Sequence, residues 1–311
     1  MHVPRRLMRL IRRHNPLRGI ELDQILALPG GHTRGKLPVS LPQKPAGFIT
    51  GERGTLMGDS ATIVGLYRYP VKGLSPEPLA EVTLQAGETF PWDRAFAIEN
   101  GKHDFDPANP KHFPKIKFLM LMRDERLAAL KTHFDDATTT LTVAKDGSEV
   151  LRANLMTPEG RTALEDFMRG YMEKELRGLP RVVHAPGFSH SDAPAKLVSI
   201  INMASVRALE EKIGAHVNPL RFRANIYLEG LEPWEDHEWV GRRFRLGEAG
   251  FTGIHKTVRC AATNVDPATA ARDMEIPAAL MKHWGHADLG LYAEIKSPGT
   301  LKPGDRLVFE E

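Results

Sequence analysis

The chain has a single cysteine among 311 residues, and this one thiol limits how the fold can be held together. Cys260 cannot form an internal disulfide, and it cannot complete a four-cysteine zinc site or an iron–sulfur cluster, because each of these needs further thiolates. The chain must rely on ordinary hydrophobic cores, for which its length and its 41% apolar residues suffice. Three roles remain open for Cys260: an inert buried side chain, a nucleophile, or a single thiolate ligand to a metal whose other ligands come from elsewhere.

The residues just before Cys260 are basic. Arg259 adjoins the thiol, and His255 and Lys256 lie a few positions upstream. Positive charge favours the thiolate, which is the form of cysteine that reacts and that binds metals. A cysteine–histidine hydrolase would need a partner imidazole, but His255 is five residues away and would lie on the opposite face of an extended strand. The pattern therefore favours a thiolate ligand or a buried thiol over a hydrolase.

Two arginines predict an anion site upstream of the thiol. Arg221 and Arg223 alternate in a run that reads as a strand, so both side chains should lie on one face. The planar guanidinium group matches the geometry of phosphate, which makes an anion site on that face plausible. The other possible metal-binding pair, His283 and His286, is three residues apart on a surface turn, where such side chains usually face solvent.

Hydrophobic alternation predicts a mainly β chain with some helix, an α+β fold built from hairpins rather than βαβ units. An interdomain connection is expected over residues 179–194, which contain three prolines and one glycine. Predicted helices cover residues 125–134, 161–171, 204–213 and 278–284. Predicted strands cover residues 61–69, 80–84, 94–99, 117–122, 140–143, 196–202, 222–228, 244–246, 289–295 and 306–310.

Charge is unevenly distributed along the chain. Residues 1–60 carry a balance of +6, which leaves −3 for residues 61–311 of the total of +3. The mildly acidic remainder argues against a nucleic-acid-binding module, which would present a basic face. Residues 1–60 are predicted to be a disordered basic extension, with a targeting or surface-binding role for the arginine-rich start as the alternative. No apolar run is long enough to predict a transmembrane segment, and a single cysteine fits a soluble protein of the reducing cytoplasm.

Several segments together resemble one family. Residues 220–225 (LRFRAN), 233–241 (PWEDHEWVG), 258–267 (VRCAATNVDP) and 298–305 (PGTLKPGD) resemble the MOSC domain, named after the C-terminal part of molybdenum cofactor sulfurase. Residues 63–73 (IVGLYRYPVKG) and 91–98 (PWDRAFAI) are similar to the β-barrel domain that precedes MOSC in the mitochondrial amidoxime-reducing component and its bacterial relatives. The resemblance implies a smaller N-terminal β-barrel domain over residues 61–190 and a barrel-like MOSC domain over residues 191–311.

The resemblance also implies a cofactor, Mo-molybdopterin, with Cys260 as the metal ligand and catalytic residue. Thiolate is a soft ligand that suits molybdenum–sulfur coordination. For Arg94 an ion pair with Asp93 or Glu99 is the structural alternative. The sequence departs from the family pattern at Gly73, where serine is common, and at Ala224, where proline is common. The positions that match cofactor-binding residues of the family are Lys72, Arg94, Arg223 and Asn225. Ser205 is a further candidate as a hydroxyl or helix-start donor, and Arg259 and Thr263 are candidates that flank the thiol.

The implied activity is a molybdenum-dependent reductase of small N-hydroxylated or N-oxide compounds. One thiol cannot hold a cluster, and the sequence has no dinucleotide fingerprint, so the electrons should come from a separate ferredoxin-, flavodoxin- or cytochrome-type protein. The alternative is a sulfur or cofactor carrier, in which Cys260 holds a persulfide or serves only as a cofactor ligand.

Overall fold

The computed structural model describes residues 61–310, so the predicted basic extension over residues 1–60 lies outside the described residues. Three α-helices are present in this range: α1 (Pro158–Tyr171), α2 (Met203–Ile213) and α3 (Ile276–Trp284). Short 3-10 helices cover Lys115–Lys117, Glu125–Ala129, Pro219–Phe222, Glu235–Trp239 and Ala261–Asn264. The strands are β1 (Thr62–Arg68), β2 (Glu77–Pro78), β3 (Val82–Leu84), β4 (Phe96–Asn100), β5 (Lys131–Asp135), β6 (Thr140–Lys145), β7 (Ser148–Asn154), β8 (Pro180–His184), β9 (Val198–Asn202), β10 (Ile226–Glu229), β11 (Arg243–Leu246), β12 (Ala249–Val258), β13 (Asp288–Ser297), β14 (Gly299–Leu301) and β15 (Leu307–Phe309).

The largest sheet has eight strands in the order β15-β11-β12-β13-β9-β10-β1-β2. Its pairs are antiparallel except for β9 and β10, which run parallel. The sheet curls back on itself, because the Ile63 amide donates to the Asp305 carbonyl and the Leu307 amide donates to the Ala61 carbonyl, both over 2.9 Å. Its inner face holds a core that includes Trp239, Phe244 and Phe251. The strand β1 thus joins the sheet built by the second half of the chain, and the division at residue 190 stays a prediction.

Smaller sheets form the rest of the first half. The strands β5, β6 and β7 make a meander, and β4 pairs with β8. The helix α1 packs on β7 and β8 around a second core with Phe96, Phe134 and Met168. It begins earlier than predicted, because the Thr157 hydroxyl accepts a hydrogen bond from the Gly160 amide and caps the first turn.

Two predicted elements of the first half are wrong. Residues 125–134 do not form one helix: a 3-10 turn ends at Ala129, and β5 follows because Phe134 pairs with Leu141 across the meander. Residues 117–122 do not form a strand. Only Phe118 bridges to Glu99, and the Asp124 carboxylate then accepts from the Met120 amide and bends the chain into a turn. Both errors come from short apolar runs whose periodicity fits a helix and a strand equally well.

The helices of the second half agree with prediction. The Asn202 side chain caps α2, and Gly214 and Gly285 end α2 and α3 in the left-handed conformation with φ of 73° and 75°. Both helices contribute to a third core that includes Tyr227 and Leu289 from the large sheet. The mainly β architecture with a few helices confirms the predicted fold class. Within residues 61–310 we find no helix of the length and apolarity that crossing a bilayer would require.

Candidate functional site

A cavity of about 350 Å³ lies where the two halves of the described chain meet, and it is strongly cationic. Seven lysine and arginine side chains line it against two carboxylates, those of Asp93 and Asp192. Such a cluster of positive charge in a concave site raises the local concentration of anions. The cationic lining residues are Lys72, Arg94, Lys115, Arg221, Arg223, Lys256 and Arg259, and the cavity also holds Cys260, Ser199, Thr263 and Tyr292.

The thiol of Cys260 lies at a fixed point of this wall. Cys260 follows β12 and is the residue before the 3-10 helix Ala261–Asn264. Its carbonyl accepts from the Thr263 amide over 3.0 Å and from the Thr263 hydroxyl over 2.9 Å, which fixes the turn. The sulfur itself is half-buried and lies 3.2 Å from the Lys115 ammonium, a residue of the first half. Thr263 therefore fixes the backbone that carries the thiol.

An ionic chain joins Lys72 to the thiol. The buried Lys72 ammonium donates to the His190 carbonyl over 2.7 Å and lies 2.5 Å from Asp192, whose other oxygen is 3.3 Å from Lys115. Burial lowers the pKa of Lys72, and Asp192 offsets part of that effect. Burial also acts to lower the pKa of Lys115, but the charges of Asp192 and Cys260 outweigh it and raise that pKa above its usual range. The Lys115 ammonium therefore keeps its charge at neutral pH.

Arg94 and Arg223 are held together beside the same wall. Arg94 pairs with Asp93 over 2.5 Å, which is one of the two ion pairs considered for it from the sequence. It also donates to the Arg223 carbonyl over 2.8 Å. Arg223 donates to the Leu74 carbonyl over 2.8 Å. Both guanidinium groups lie over the ring of Tyr69, at 4.4 and 4.3 Å from its centroid. Burial, with the nearby Arg94 charge, lowers the pKa of Arg223 to about 10, so both arginines carry charge at neutral pH.

Arg259 leaves one nitrogen available. It is buried and donates through Nε to the Leu289 carbonyl over 2.6 Å and through Nη1 to the Phe222 carbonyl over 3.0 Å. Its Nη2 is buried and has no hydrogen-bond partner among the described residues, and the same is true of the Ser199 hydroxyl. Buried donors without partners are costly, so two of them on one cavity wall indicate a site that a polar ligand would complete.

The prediction for Arg221 needs correction. Residues 219–222 form a 3-10 helix rather than a strand, because Asn218 caps it and Pro219 begins it, and Arg223 is left-handed with φ of 53°. Arg221 also pairs with Asp266 at 3.2 Å and Asp273 at 2.8 Å, so its charge is already compensated. The predicted strand begins only at Ile226. Arg221 and Arg223 both line the cavity, but a 3-10 helix and the left-handed residue after it place them there rather than the alternation of a strand.

Two predicted cofactor-binding residues do not line the cavity. The Ser205 hydroxyl is fully buried and accepts from the Trp234 amide over 2.8 Å. The Asn225 side chain accepts from the Ser199 amide over 3.0 Å and donates to the Tyr67 carbonyl over 3.1 Å, which ties β1 to β9. In this arrangement both residues support the walls of the site, and Asn225 positions Ser199 within it.

The histidines considered from the sequence form no alternative centre. His255 lines the outer cavity with its ring 5.1 Å from that of Tyr292, and its Nδ1 donates to the Lys256 carbonyl. No hydrogen bond joins His255 to the thiol in the described part of the chain. Within residues 61–310, no three histidine, cysteine or carboxylate side chains converge as a metal-binding group. A metal held here would need ligands beyond the thiolate from the cofactor itself.

Sequence reasoning missed Lys115, Ser199 and Tyr292. Lys115 lies in a segment without a recognisable motif, and only the packing of the two halves brings it to the thiol. Ser199 and Tyr292 lie opposite each other on paired strands β9 and β13. That pairing is a long-range contact, which no local pattern reports.

Comparison with known proteins identifies two family domains. A model of the MOSC N-terminal beta barrel domain matches residues 60–175, and a model of the MOSC domain matches residues 188–308. Rat (Rattus norvegicus) mitochondrial amidoxime reducing component 2 is 26% identical over 150 residues, which cover 44% of this chain and 43% of that protein. Zebrafish (Danio rerio) molybdenum cofactor sulfurase is 24% identical over 266 residues, which cover 70% of this chain and 30% of that protein. The chain thus spans less than half the length of these curated relatives.

Solved structures give weaker matches. The YuaD protein from Bacillus subtilis is 14% identical with a TM-score of 0.37, covering 79% of this chain and 93% of that chain. YiiM from Geobacillus stearothermophilus is 22% identical with a TM-score of 0.30, covering 37% of this chain and 54% of that chain. The assignment rests on the two domain models: the chain belongs to the proteins in which a MOSC N-terminal β-barrel domain precedes a MOSC domain.

Proposed function

We propose that this protein binds Mo-molybdopterin in the cationic cavity and reduces small N-hydroxylated or N-oxide compounds with electrons from a separate redox protein. One observation carries the proposal: the only thiol of the chain opens into a cavity lined by seven cationic side chains. A soft metal ligand and an anion-binding wall are the two features that a metal–dithiolene cofactor with a phosphate group requires.

The donor set fits this group. Thiolate suits molybdenum, and the buried Arg259 Nη2 and Ser199 hydroxyl lack partners that an anionic or polar ligand would supply. Arg94 and Arg223 are held side by side on Tyr69, so little side-chain entropy would be lost when they bind a phosphate. The positive charge of the wall exceeds that of its two carboxylates, which favours a multiply charged anion.

Each residue then has a distinct task. Cys260 is the proposed metal ligand and touches the reacting centre. Arg94, Arg223 and Arg259, which line the cavity, would bind the phosphate and pterin, and Lys72 would add positive charge from the first half. Thr263 holds the thiol-bearing turn, and Asn225 holds Ser199. Lys115 places a positive charge 3.2 Å from the sulfur.

The chemistry that the cofactor would supply is removal of one oxygen atom from the substrate, with two electrons and two protons converting R–NHOH to R–NH2 and water. The single cysteine cannot hold a relay cluster, so an external donor must deliver the electrons. The substrate class follows the name of the rat relative and is proposed on that ground. The chain's cysteine usage is consistent with a reducing compartment such as the cytoplasm.

Turnover assays test this function. Purified protein loaded with cofactor should reduce benzamidoxime or N-hydroxyguanidine with reduced viologen, and Cys260→Ser should not. Bound molybdenum without turnover by any donor would contradict the reductase, and a sulfane-sulfur adduct on Cys260 in the same sample would identify the carrier alternative instead.

A further inference from the structure

A second cavity, of about 430 Å³, lies on the first half of the chain and differs in character from the cationic one. Its walls are mostly apolar and include the rings of Phe90, Trp92, His184 and Phe188. Its size and aromatic lining are those of a site for a small organic molecule. The only wall residue shared with the cationic cavity is Asp93.

The aromatic wall offers one free acceptor. The His184 Nδ1 lies 3.0 Å from the Ala95 carbonyl, and because a carbonyl can only accept, this nitrogen carries the proton. In the tautomer protonated only at Nδ1, the Nε2 is an acceptor for a ligand N–H group. Trp92, whose ring centroid is 6.5 Å from that of His184, is held with φ of 63°. A non-glycine residue keeps this left-handed conformation only when its surroundings impose it, as at ligand clamps.

Charge selects the ligand further. The carboxylates of Glu88 and Asp93 lie among the lining residues, and no lysine or arginine does. Asp93 is committed to the Tyr69 amide and to Arg94. Glu88 pairs with Lys196 over 2.6 Å, but both side chains are more than a third exposed, and exposed pairs are weak. A ligand cation can therefore replace Lys196 on Glu88 at little cost.

From this geometry we propose that the cavity, named here the aromatic site, binds an arylalkylamine in its ammonium form. The ring of the ligand packs against Trp92 and Phe188, and its ammonium group donates to Glu88 or to His184. The proposal does not rest on the molybdenum function, because its recognition groups and its charge preference are separate from those of the cationic cavity.

Ligand-observed NMR titration of the full chain tests the aromatic site with three matched probes. The probe 2-phenylethylammonium should bind saturably, and its neutral analogue 2-phenylethanol and its ring-free analogue butylammonium should bind more weakly. Absence of saturable binding by 2-phenylethylammonium at millimolar concentrations overturns the proposal. Equal affinity for the alcohol overturns the charge assignment, and equal affinity for butylammonium overturns the aromatic one.

Variants locate the binding. Met156 is 42% exposed at the edge of the cavity, so Met156→Trp should fill the site and abolish binding without disturbing a core. The matched control Met281→Trp, on α3 at a residue 54% exposed, should bind as the parent does. Glu88→Gln should weaken binding about two- to fivefold, the loss expected for an exposed ion pair. Unchanged binding in Met156→Trp overturns the assignment to this cavity.

Discussion

Arg223 is the cation that the proposed function explains best, and Arg223→Met separates a ligand-binding role from a structural one. Methionine keeps an unbranched stem that reaches about as far as the arginine Nε, and it removes the guanidinium group with its charge. In the folded chain the substitution removes one bond to the Leu74 carbonyl, which contributes about 1.5–3 kcal/mol, and one contact with the Tyr69 ring, which contributes about 0.5–2 kcal/mol.

Removal of the buried charge stabilises the folded chain and offsets these losses by a similar amount. Burial and the charge of Arg94 lower the pKa of Arg223 from its usual value above 12 to about 10. This shift means that the charged guanidinium group destabilises the folded chain by about 3 kcal/mol, a cost that methionine removes. The left-handed backbone at Arg223 costs methionine no more than it costs arginine. The free energy of unfolding without cofactor should therefore change by no more than about 2 kcal/mol.

The affinity for the cofactor should fall by a free energy comparable to that limit or larger. A lost charge-assisted bond to phosphate, at about 1.5–3 kcal/mol, lowers affinity about 10- to 150-fold. Urea unfolding gives the stability, and molybdenum and pterin content of the purified variant gives the retention. The control Arg207→Met removes an exposed arginine that pairs with Glu229 and should change neither quantity. A strongly destabilised Arg223→Met that keeps its cofactor would refute the reasoning and make Arg223 a structural residue.

Four further outcomes are expected. Arg94→Glu should abolish pterin retention, because a like charge replaces a phosphate partner, and unchanged pterin content would contradict the anion wall. The loaded protein should oxidise no NADH by itself in a spectrophotometric assay yet should turn over with reduced viologen, because one thiol cannot hold a cluster and the sequence has no dinucleotide fingerprint. Burial, and then the charge of Lys72, lowers the pKa of His190 to about 3, whereas the unfolded chain binds this proton near pH 6.5. The free energy of unfolding should therefore fall as the pH drops from about 6.5 to about 3, and in urea titrations His190→Phe should flatten this dependence on pH. Burial raises the pKa of Asp236 to about 6, against the opposing effect of Asn202. Asp236→Asn should therefore raise the free energy of unfolding by up to about 3 kcal/mol near pH 8 and leave it unchanged below about pH 4, and an equal effect at both pH values would refute the assignment.

The sequence predicted those elements whose bounds are set by residues close to them in the chain. Alternation predicted β1, β6 and β13, and capping residues at Asn202 and Gly214 mark the ends of α2 as the structure has them. The family motifs pointed to Cys260, Arg94 and Arg259, and these residues do line one cavity. The motifs gave the positions of these residues in the sequence, and the expected fold class was enough to bring them to one site.

Contacts between distant residues could not be predicted, because no local pattern encodes them. The Ser205 hydroxyl accepts from the Trp234 amide, Asn225 ties two strands together, and a cofactor-binding role for either residue stays a prediction. Lys115 reaches the thiol from 145 positions away, so only the tertiary structure brings it there. The strand predicted at Arg221 and Arg223 became a 3-10 turn because Pro219 and Asn218 start it, a capping signal that the alternation concealed.

Cys260 is proposed to ligate molybdenum inside the cationic cavity, and metal analysis of the purified protein tests this role most directly. Protein produced in cells that make the cofactor should contain molybdenum near one atom per chain together with pterin. Cys260→Ser should unfold at about the same urea concentration as the parent, because the sulfur is only half-buried, yet it should lose most of its molybdenum. Parent protein without molybdenum, or a serine variant with its full complement, would contradict the claim.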